Sequence, residues 1–287
     1  MAEKALVLGG GGITGIAWEI GILAGLADYG VDLTAADLVV GTSAGSVVGA
    51  DVRSGTSLAE LYRVQTAPAT GEIYAKMSFR VMLSYLRAMA FTRKPEVARR
   101  RAGAMAMRAQ TESEDARRKV IESRIPTAEW PAGKLQVTAV DAVSGEFTVF
   151  DASSGISLVD AVGASCAVPG IWPPVTINGR RYVDGGMRSG TNADLAAGYE
   201  RVVVIAPLAQ GFGVLESLAR QVRRLTDQGV RVAVVTPDKA ARRAIGRNVL
   251  DPARRPAAAR AGHAQASSVV AQVSAVWVTG ETQQRTA

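Results

Sequence analysis

The chain has 287 residues, of which 48% are hydrophobic and 30 are glycine, a composition typical of a globular α/β protein and not of a disordered one. Its one cysteine, Cys166, excludes an intramolecular disulfide and favours a reducing compartment. The N-terminal residues lack a signal-peptide pattern, and no apolar run reaches the ~20 residues of a membrane span. We therefore expect a cytoplasmic protein that is at most peripheral to a membrane. The net charge of +7 is compatible with anionic partners and equally with a basic proteome background.

A glycine-rich loop follows the first predicted element, a buried strand at Ala5–Leu8, and precedes a helix predicted at Ile16–Tyr29. Glycines allow several backbone N–H groups to point into one concavity, and the helix N-terminus adds positive potential, so the loop favours a negative oxygen. Gly10, Gly12 and Gly15 match the Gly-x-Gly-x-x-Gly fingerprint of dinucleotide-binding proteins. That interpretation requires an acidic residue at the end of the second strand, and none stands there, so it is the weaker one.

The second predicted strand ends in Gly41-Thr42-Ser43-Ala44-Gly45, ahead of a stretch with helical composition. This order is that of a nucleophile elbow, in which Ser43 occupies a strained turn and flanking glycines avoid clashes with neighbouring backbone. Taken alone, the pentapeptide is also compatible with an ordinary strand-to-helix turn. If the two strands are neighbours, both loops meet at one edge of the sheet, and the glycine loop supplies an oxyanion hole opposite Ser43.

A basic, methionine-rich insertion is predicted at about residues 73–124. It holds five of the seven methionines, and from Lys76 to Arg124 its thirteen basic and five acidic residues give a net charge of +8, more than that of the whole chain. We expect a helical cap whose apolar face admits acyl chains and whose basic face meets anionic head groups or a membrane surface. The alternative is a solvated helical layer, and the scarcity of aromatic residues argues against nucleic-acid binding.

Alternating strand and helix patterns continue to an Ala- and Arg-rich helix at about residues 251–278. A hairpin with an Asn178-Gly179 turn leads into Asp184-Gly185-Gly186. A carboxylate at a strand end, followed by glycines that permit close backbone approach, suits a general base, although an Asp-initiated turn gives the same tripeptide. The pattern predicts one domain, 1–287, with an α/β fold of three layers, α/β/α, around a mostly parallel central sheet.

The chain contains one histidine, His263, within an Ala-rich helical stretch. The order Ser43, Asp184, His263 suits an α/β-hydrolase triad, but no strand leads into His263 and only one strand precedes the elbow. A dyad in which Asp184 takes the serine proton needs no histidine, and it works best when burial raises the pKa of the carboxyl group. We therefore interpret His263 as a structural or surface residue.

Three separated stretches together resemble the patatin-like phospholipases: Gly9–Gly15 with its following helix, Gly41–Gly45, and Asp184-Gly185-Gly186 after the Ala-Ser-x-x-x-Pro-Gly-like segment Ala164–Gly170. They lie within about residues 5–206, and the three in this order are much more specific than any one alone. The resemblance implies a three-layer α/β/α lipid acyl hydrolase with a Ser–Asp dyad and without metal, cofactor or catalytic histidine.

Matched position by position, the resemblance implies that Ser43 is the nucleophile and Asp184 the general base. The glycines that it implies for the oxyanion hole are Gly10, Gly11 and Gly12, and those at other motif positions are Gly15, Gly41, Gly45, Gly185 and Gly186. The chain departs from the family where the loop carries Arg or Lys before its final glycine, because Thr14 stands there. We expect either weaker activity or a cation supplied from elsewhere, such as the cap.

The sequence therefore predicts a serine lipid acyl hydrolase that acts on phospholipids, lysophospholipids or neutral lipids through an acyl-enzyme on Ser43. The expected partners are an acyl-ester substrate and anionic membranes, and not nucleic acid. The alternative is a catalytically weak or inactive lipid- or membrane-binding protein of the same fold, which Thr14 keeps open. Intact Ser43 and Asp184 argue against that alternative.

Overall fold

A computed structural model describes residues 3–68, 75, 79–89, 92–208 and 215–278. In these residues eight strands form one sheet: β1 (Lys4–Leu8), β2 (Leu38–Gly41), β3 (Lys134–Asp141), β4 (Phe147–Phe150), β5 (Val175–Ile177), β6 (Arg180–Asp184), β7 (Arg201–Ile205) and β8 (Arg231–Val235). The helices of the same ranges are α1 (Gly12–Asp28), α2 (Ala44–Arg53), α3 (Leu58–Thr66), α4 (Phe79–Met89), α5 (Pro95–Arg108), α6 (Glu114–Glu122), α7 (Leu158–Ser165), α8 (Leu218–Asp227), α9 (Lys239–Ile245) and α10 (Arg255–Trp277).

The sheet has the strand order β5-β6-β3-β2-β1-β7-β8, and β4 also pairs with β3. The central strand β1 pairs in parallel with β2 and β7, and β3 and β8 extend the parallel set. Strands β4, β5 and β6 pair antiparallel to their neighbours. The mostly parallel sheet confirms the prediction, and the adjacency of β1 and β2 brings the loops after them to the same edge.

Helices cover both faces of the sheet, which confirms the three-layer prediction. On one face α1 and α10 enclose a core that includes Leu8, and on the other face α8 packs over a core that includes Val7. Helices α1 and α10 approach so closely that a Cβ on Gly21 would clash with the carbonyl of Ala259. No helix in the described ranges is long and apolar enough to cross a lipid bilayer.

The predicted basic insertion is helical where the structure describes it. It comprises α4, α5 and α6, whereas Lys76 and Met77 lie outside the described residues. Helix α5 lies directly on the sheet layer, because a Cβ on Gly103 would clash with the carbonyl of Ala142, just after β3. The described helices therefore form a layer attached to the body of the protein.

The boundary predicted for the first helix was wrong. Helix α1 begins at Gly12 and not at Ile16, so the last four residues of the predicted loop form its first turn. The N–H of Thr14 donates to the carbonyl of Val249 at 3.1 Å, a partner 235 residues away. Because this tertiary contact satisfies a first-turn amide, glycine-rich sequence is accommodated in a helix that local propensity disfavours.

Two further differences concern α7 and α9. The sequence predicts a helix from Leu158 to Val168 that Pro169 terminates, but α7 already ends at Ser165. A residue that precedes proline avoids the helical region, which excludes Val168 from the helix. Helix α9 was not predicted, although Asp238 caps it by accepting the N–H of Ala241 at 2.7 Å. An aspartate before an Ala- and Arg-rich run is the local signal that could have identified this helix.

Candidate active site

Ser43 lies on the turn between β2 and α2 in a backbone conformation that few non-glycine residues adopt, with φ 52° and ψ −117°. Such a conformation costs roughly 1–3 kcal/mol and persists only when the surroundings enforce it. A Cβ on Gly45 would clash with the carbonyl of Leu8, and one on Gly41 would lie 2.6 Å from the carbonyl oxygen of Gly45. The strand, strained turn and helix therefore have the geometry of a nucleophile elbow.

The hydroxyl of Ser43 donates a hydrogen bond to Oδ2 of Asp184 at 2.6 Å. The other carboxylate oxygen, Oδ1, accepts the N–H of Gly186 at 2.7 Å. Ser43 is 9% exposed and Asp184 is 3% exposed. Burial raises the pKa of Asp184 to about 6, although the hydrogen bonds from Ser43 and Gly186 act in the opposite direction. A carboxylate with this pKa, in contact with a hydroxyl group, can accept its proton near neutral pH.

The register of β3 explains why these two side chains meet. Gly41 pairs with Val137, and Asp184 pairs with Ala139, only two residues further along β3. Strand β2 runs parallel to β3 and strand β6 runs antiparallel to it, so the C-terminal ends of β2 and β6 converge on this point. The elbow and the Asp-Gly-Gly segment are thus brought together by strand pairing.

The last residue of α7 and the residues after it hold the backbone of both Ser43 and Asp184. The N–H of Ser43 donates to Oγ of Ser165 at 2.9 Å, and the N–H of Asp184 donates to the carbonyl of Ala167 at 3.0 Å. The thiol of Cys166 donates to the carbonyl of Ser43 at 3.3 Å. Burial raises the pKa of Cys166 to about 11, so it remains a thiol. In the sequence, the position of Ser165 in the Ala164–Gly170 motif is the one signal of its contact with Ser43.

The glycine loop lies beside Ser43, since a Cβ on Gly10 would be 3.6 Å from the Cβ of Ser43. The N–H of Gly10 already donates to the carbonyl of Gly190 at 2.8 Å, so this amide is not open to a ligand, contrary to the prediction. Within the described residues, the N–H groups of Gly11, Gly12 and Ala44 have no acceptor. These three amides can therefore donate to an anionic oxygen.

Thr14 occupies the position where the resemblance implies a cation. Its side chain is buried, and its hydroxyl and its N–H both donate to the carbonyl of Val249, at 3.2 and 3.1 Å. The residue therefore attaches the segment before α10 to the glycine loop and contributes no positive charge to the site.

Helices α4 and α5 cover the site from the side of the insertion. The hydroxyl of Tyr85 donates to the carbonyl of Pro169 at 3.1 Å. Burial raises the pKa of Tyr85, and the charge of Asp184 adds to this effect because the two groups are close. A Cβ on Gly170 would lie 3.3 Å from Val81 and 3.6 Å from Met105. The described part of the insertion therefore packs beside the Ser43–Asp184 pair.

His263 lies at the far end of α1 from the glycine loop. Its Nε2 is 2.8 Å from Oδ2 of Asp28, and its ring stacks on Tyr62 with centroids 4.7 Å apart. Asp28 ends α1, whereas Gly12 begins it, and 17 helical residues span about 25 Å at 1.5 Å each, so His263 is remote from the glycine loop.

In the described ranges no three His, Cys, Asp or Glu side chains are grouped so that they could hold a metal ion.

Comparisons with known proteins add a family and two similar structures. A family model described as patatin-like phospholipase matches residues 6–197, which include the glycine loop, the elbow and Asp184. No curated protein sequence matches the chain. The structure is similar to VipD from Legionella pneumophila, with 14% identity and a TM-score of 0.48 over 95% of this chain and 67% of that one. It is also similar to the type III effector protein ExoU, with 17% identity and a TM-score of 0.43 over 95% of this chain and 53% of that one.

Proposed function

This chain belongs to the patatin-like phospholipase family, and we propose that it is a lipid acyl hydrolase with Ser43 as nucleophile and Asp184 as general base. The observation that supports this most directly is the 2.6 Å hydrogen bond from Ser43 Oγ to Asp184 Oδ2. A serine hydroxyl is a weak nucleophile until an adjacent base takes its proton, and Asp184 is the group in contact with it.

In the first half-reaction Asp184 takes the proton from Ser43 Oγ while that oxygen forms a bond to the carbonyl carbon of an acyl ester. The carbonyl electron pair moves onto its oxygen, which becomes the oxyanion of a tetrahedral intermediate. Collapse of this intermediate breaks the bond to the alcohol oxygen. That oxygen receives the proton from Asp184 and leaves as an alcohol, so the acyl group remains on Ser43.

In the second half-reaction water replaces the alcohol. Asp184 takes a proton from water as the water oxygen attacks the acyl-enzyme carbonyl, and a second tetrahedral intermediate forms. When it collapses, Ser43 Oγ is the leaving group and takes the proton back from Asp184. The products are a free fatty acid and the original dyad.

The oxyanion is stabilised by backbone amides in this proposal. The N–H groups of Gly11, Gly12 and Ala44 are open, and the last two stand at the N-termini of α1 and α2, where helix dipoles favour negative charge. Because Thr14 brings no charge, these dipoles replace the cation implied by the family resemblance.

The substrate class that fits is a fatty acyl ester, and the basic insertion favours anionic lipid surfaces. Lys94, Arg100 and Arg108 are exposed on or next to α5, and Met107 between them is 45% exposed. Basic side chains near an anionic surface attract it, and an exposed apolar side chain can enter its interfacial region. We expect co-sedimentation with vesicles containing phosphatidylglycerol, and not with pure phosphatidylcholine vesicles, and loss of this binding in Arg100→Glu/Arg108→Glu.

Covalent labelling with a fluorophosphonate probe tests the dyad. We expect wild-type protein to be labelled, Ser43→Ala to be unlabelled, and Asp184→Asn to react at least a hundredfold more slowly. Asp51→Asn is the matched control, because Asp51 is also buried with a raised pKa but lies on α2 outside the site. A folded wild type that resists labelling, with or without vesicles, would instead favour the inactive lipid-binding alternative.

A further inference from the structure

Asn192 is a fully buried amide in the loop that follows the Asp-Gly-Gly segment. Its backbone is left-handed, with φ 50° and ψ 38°, a region that asparagine and glycine tolerate better than other residues. Its Oδ1 accepts a hydrogen bond from Arg188 at 2.8 Å. This contact fixes the orientation of the amide, so that Nδ2 points toward the interior of the site.

The Nδ2 group of Asn192 faces four acceptors from three different segments. They lie at 3.0–3.3 Å and are Ser189 O, Thr42 Oγ1, Thr138 Oγ1 and Gly185 O. Thr42 immediately precedes Ser43, and Gly185 immediately follows Asp184. One amide group therefore contacts the chain neighbour of each member of the Ser43–Asp184 pair.

Thr138 of β3 completes this arrangement between the two segments. Its hydroxyl donates to Oγ1 of Thr42 at 3.0 Å, and a Cβ on Gly185 would clash with the same hydroxyl. The elbow, β3 and the Asp-Gly-Gly segment thus meet at one buried polar cluster, where an unsatisfied group would be costly. Thr42 and Gly185, the chain neighbours of Ser43 and Asp184, both belong to this cluster.

We propose that Asn192 is a positioning residue, which holds Thr42 and Gly185 at the separation that keeps Ser43 Oγ within hydrogen-bond distance of Asp184. The inference rests on the proposed function for its kinetic consequences, but the geometry that it describes is measurable without turnover. A purely structural role for Asn192 would affect stability and leave the Ser43–Asp184 contact unchanged.

Two variants remove the hydrogen bond between Asn192 and Thr42, one by changing the donor and the other by changing the acceptor. Asn192→Gly deletes the amide and retains a residue that tolerates the left-handed backbone. Thr42→Val removes the acceptor on the elbow at nearly constant shape, and Thr42→Ser restores a hydroxyl there. If Asn192→Gly does not fold, the comparison of Thr42→Val with Thr42→Ser still tests the proposal.

Gln265→Ala is the control. Gln265 is also a buried amide, but it lies on α10, where it bonds to Trp18, Thr236 and Asp238 and to no residue of the cluster around Asn192. Its loss should lower the melting temperature without changing the geometry of the dyad.

The first readout is the pH titration of Asp184. It is monitored by NMR of protein labelled with 13C at the aspartate carboxyl carbons, and the Asp184 resonance is assigned by its absence in Asp184→Asn. The hydrogen bond from Ser43 lowers the pKa of Asp184, so a longer contact should raise that pKa above the value of about 6. In the described part of the chain, the other titratable groups facing Asp184 are Tyr85 from α4 and Cys166 after α7, and both stay neutral in this range because burial raises their pKa values.

The second readout is turnover of p-nitrophenyl butyrate per folded molecule. We expect kcat to fall at least tenfold in Asn192→Gly and Thr42→Val, with KM changed less than threefold, and Thr42→Ser and Gln265→Ala to stay near wild type. The inference is overturned if the pKa of Asp184 is unchanged in folded Asn192→Gly or Thr42→Val, or if it moves equally in Gln265→Ala. A wild type without turnover would remove the proposed function, and the titration would still decide the role of Asn192.

Discussion

The hydrogen bond from Ser43 Oγ to Asp184 Oδ2 joins residues 141 positions apart, and both of them are nearly excluded from water. One is held in a strained turn and the other ends a strand that pairs antiparallel with β3. Burial raises the pKa of the carboxyl group, which makes it a better base and also makes its charged form costly. Activity and stability should therefore respond to pH in opposite directions.

The pH dependence of turnover should report this carboxyl group. Only the ionised form of Asp184 can take the Ser43 proton, so kcat/KM for p-nitrophenyl butyrate should rise with pH through an apparent pKa of about 6 and level off above it. Asp51→Asn should show the same rise of kcat/KM with pH, because Asp51 is a buried carboxyl group that lies outside the site. A rise of kcat/KM with an apparent pKa near 4 would contradict this prediction, because it would indicate a base that is not buried as Asp184 is.

Stability should change with pH in the opposite sense when Asp184 is replaced by asparagine. The pKa of Asp184 is about 6 in the folded protein, whereas its ordinary value is 3.8. The favourable contribution of the protonated carboxyl group to stability is therefore complete below pH 3.8 and is lost as pH rises through 6. The cost of the buried charge approaches about 3 kcal/mol at high pH. Urea unfolding should show Asp184→Asn gaining about 2 kcal/mol over wild type between pH 4.5 and pH 8. Parallel pH curves for the two proteins would exclude this assignment.

Two glycines of the site should respond differently to the same substitution. A Cβ on Gly10 would make ordinary contacts of 3.6 Å with Ser43 and Gly190, whereas one on Gly45 would clash with the carbonyl of Leu8. Gly10→Ala should keep its melting temperature within a few degrees and lose at least tenfold in kcat/KM, because the methyl group crowds the approach to Ser43. Gly45→Ala should fold poorly. Equal effects of both substitutions on thermal unfolding would contradict this distinction.

Loss of the Ser165 hydroxyl should impair the elbow. In Ser165→Ala the buried N–H of Ser43 loses its acceptor, a change that typically costs about 1–3 kcal/mol. We expect kcat to fall about tenfold, measured with p-nitrophenyl butyrate per fluorophosphonate-reactive site. Ser54→Ala removes a half-buried hydroxyl that contacts Asp51 and Thr56 at the other end of α2 and should keep kcat near wild type. Comparable losses of kcat in the two variants would argue against a specific contact.

Replacement of the single histidine should leave turnover intact. His263 interacts with Asp28 and Tyr62 at the end of α1 opposite to the glycine loop. His263→Ala should retain kcat/KM within twofold and change the free energy of unfolding by less than about 1 kcal/mol, as a partly exposed polar contact contributes little. A Ser43-dependent activity that disappears in His263→Ala would refute the dyad.

Local patterns were sufficient for much of this structure. The apolar runs predicted β1 and β2 because parallel strands buried on both faces need continuous apolar sequence. The Asn178-Gly179 turn predicted the β5–β6 hairpin, since both residues adopt positive φ. The same patterns failed at the start of α1 and at α9, where a distant carbonyl or a single capping residue decided the helix.

The sequence by itself determined which residue types could perform chemistry, because a Gly-x-Ser-x-Gly elbow and an Asp-Gly-Gly segment carry their function in local backbone geometry. The tertiary structure alone decided how they meet. Strand register along β3 places Asp184 beside the elbow, and long-range contacts commit the Gly10 amide to Gly190 and Thr14 to Val249. Asn192 and Ser165 gain their contacts with the site in the same way. Hydrogen bonds between distant segments depend on how the chain packs, and no local pattern encodes them.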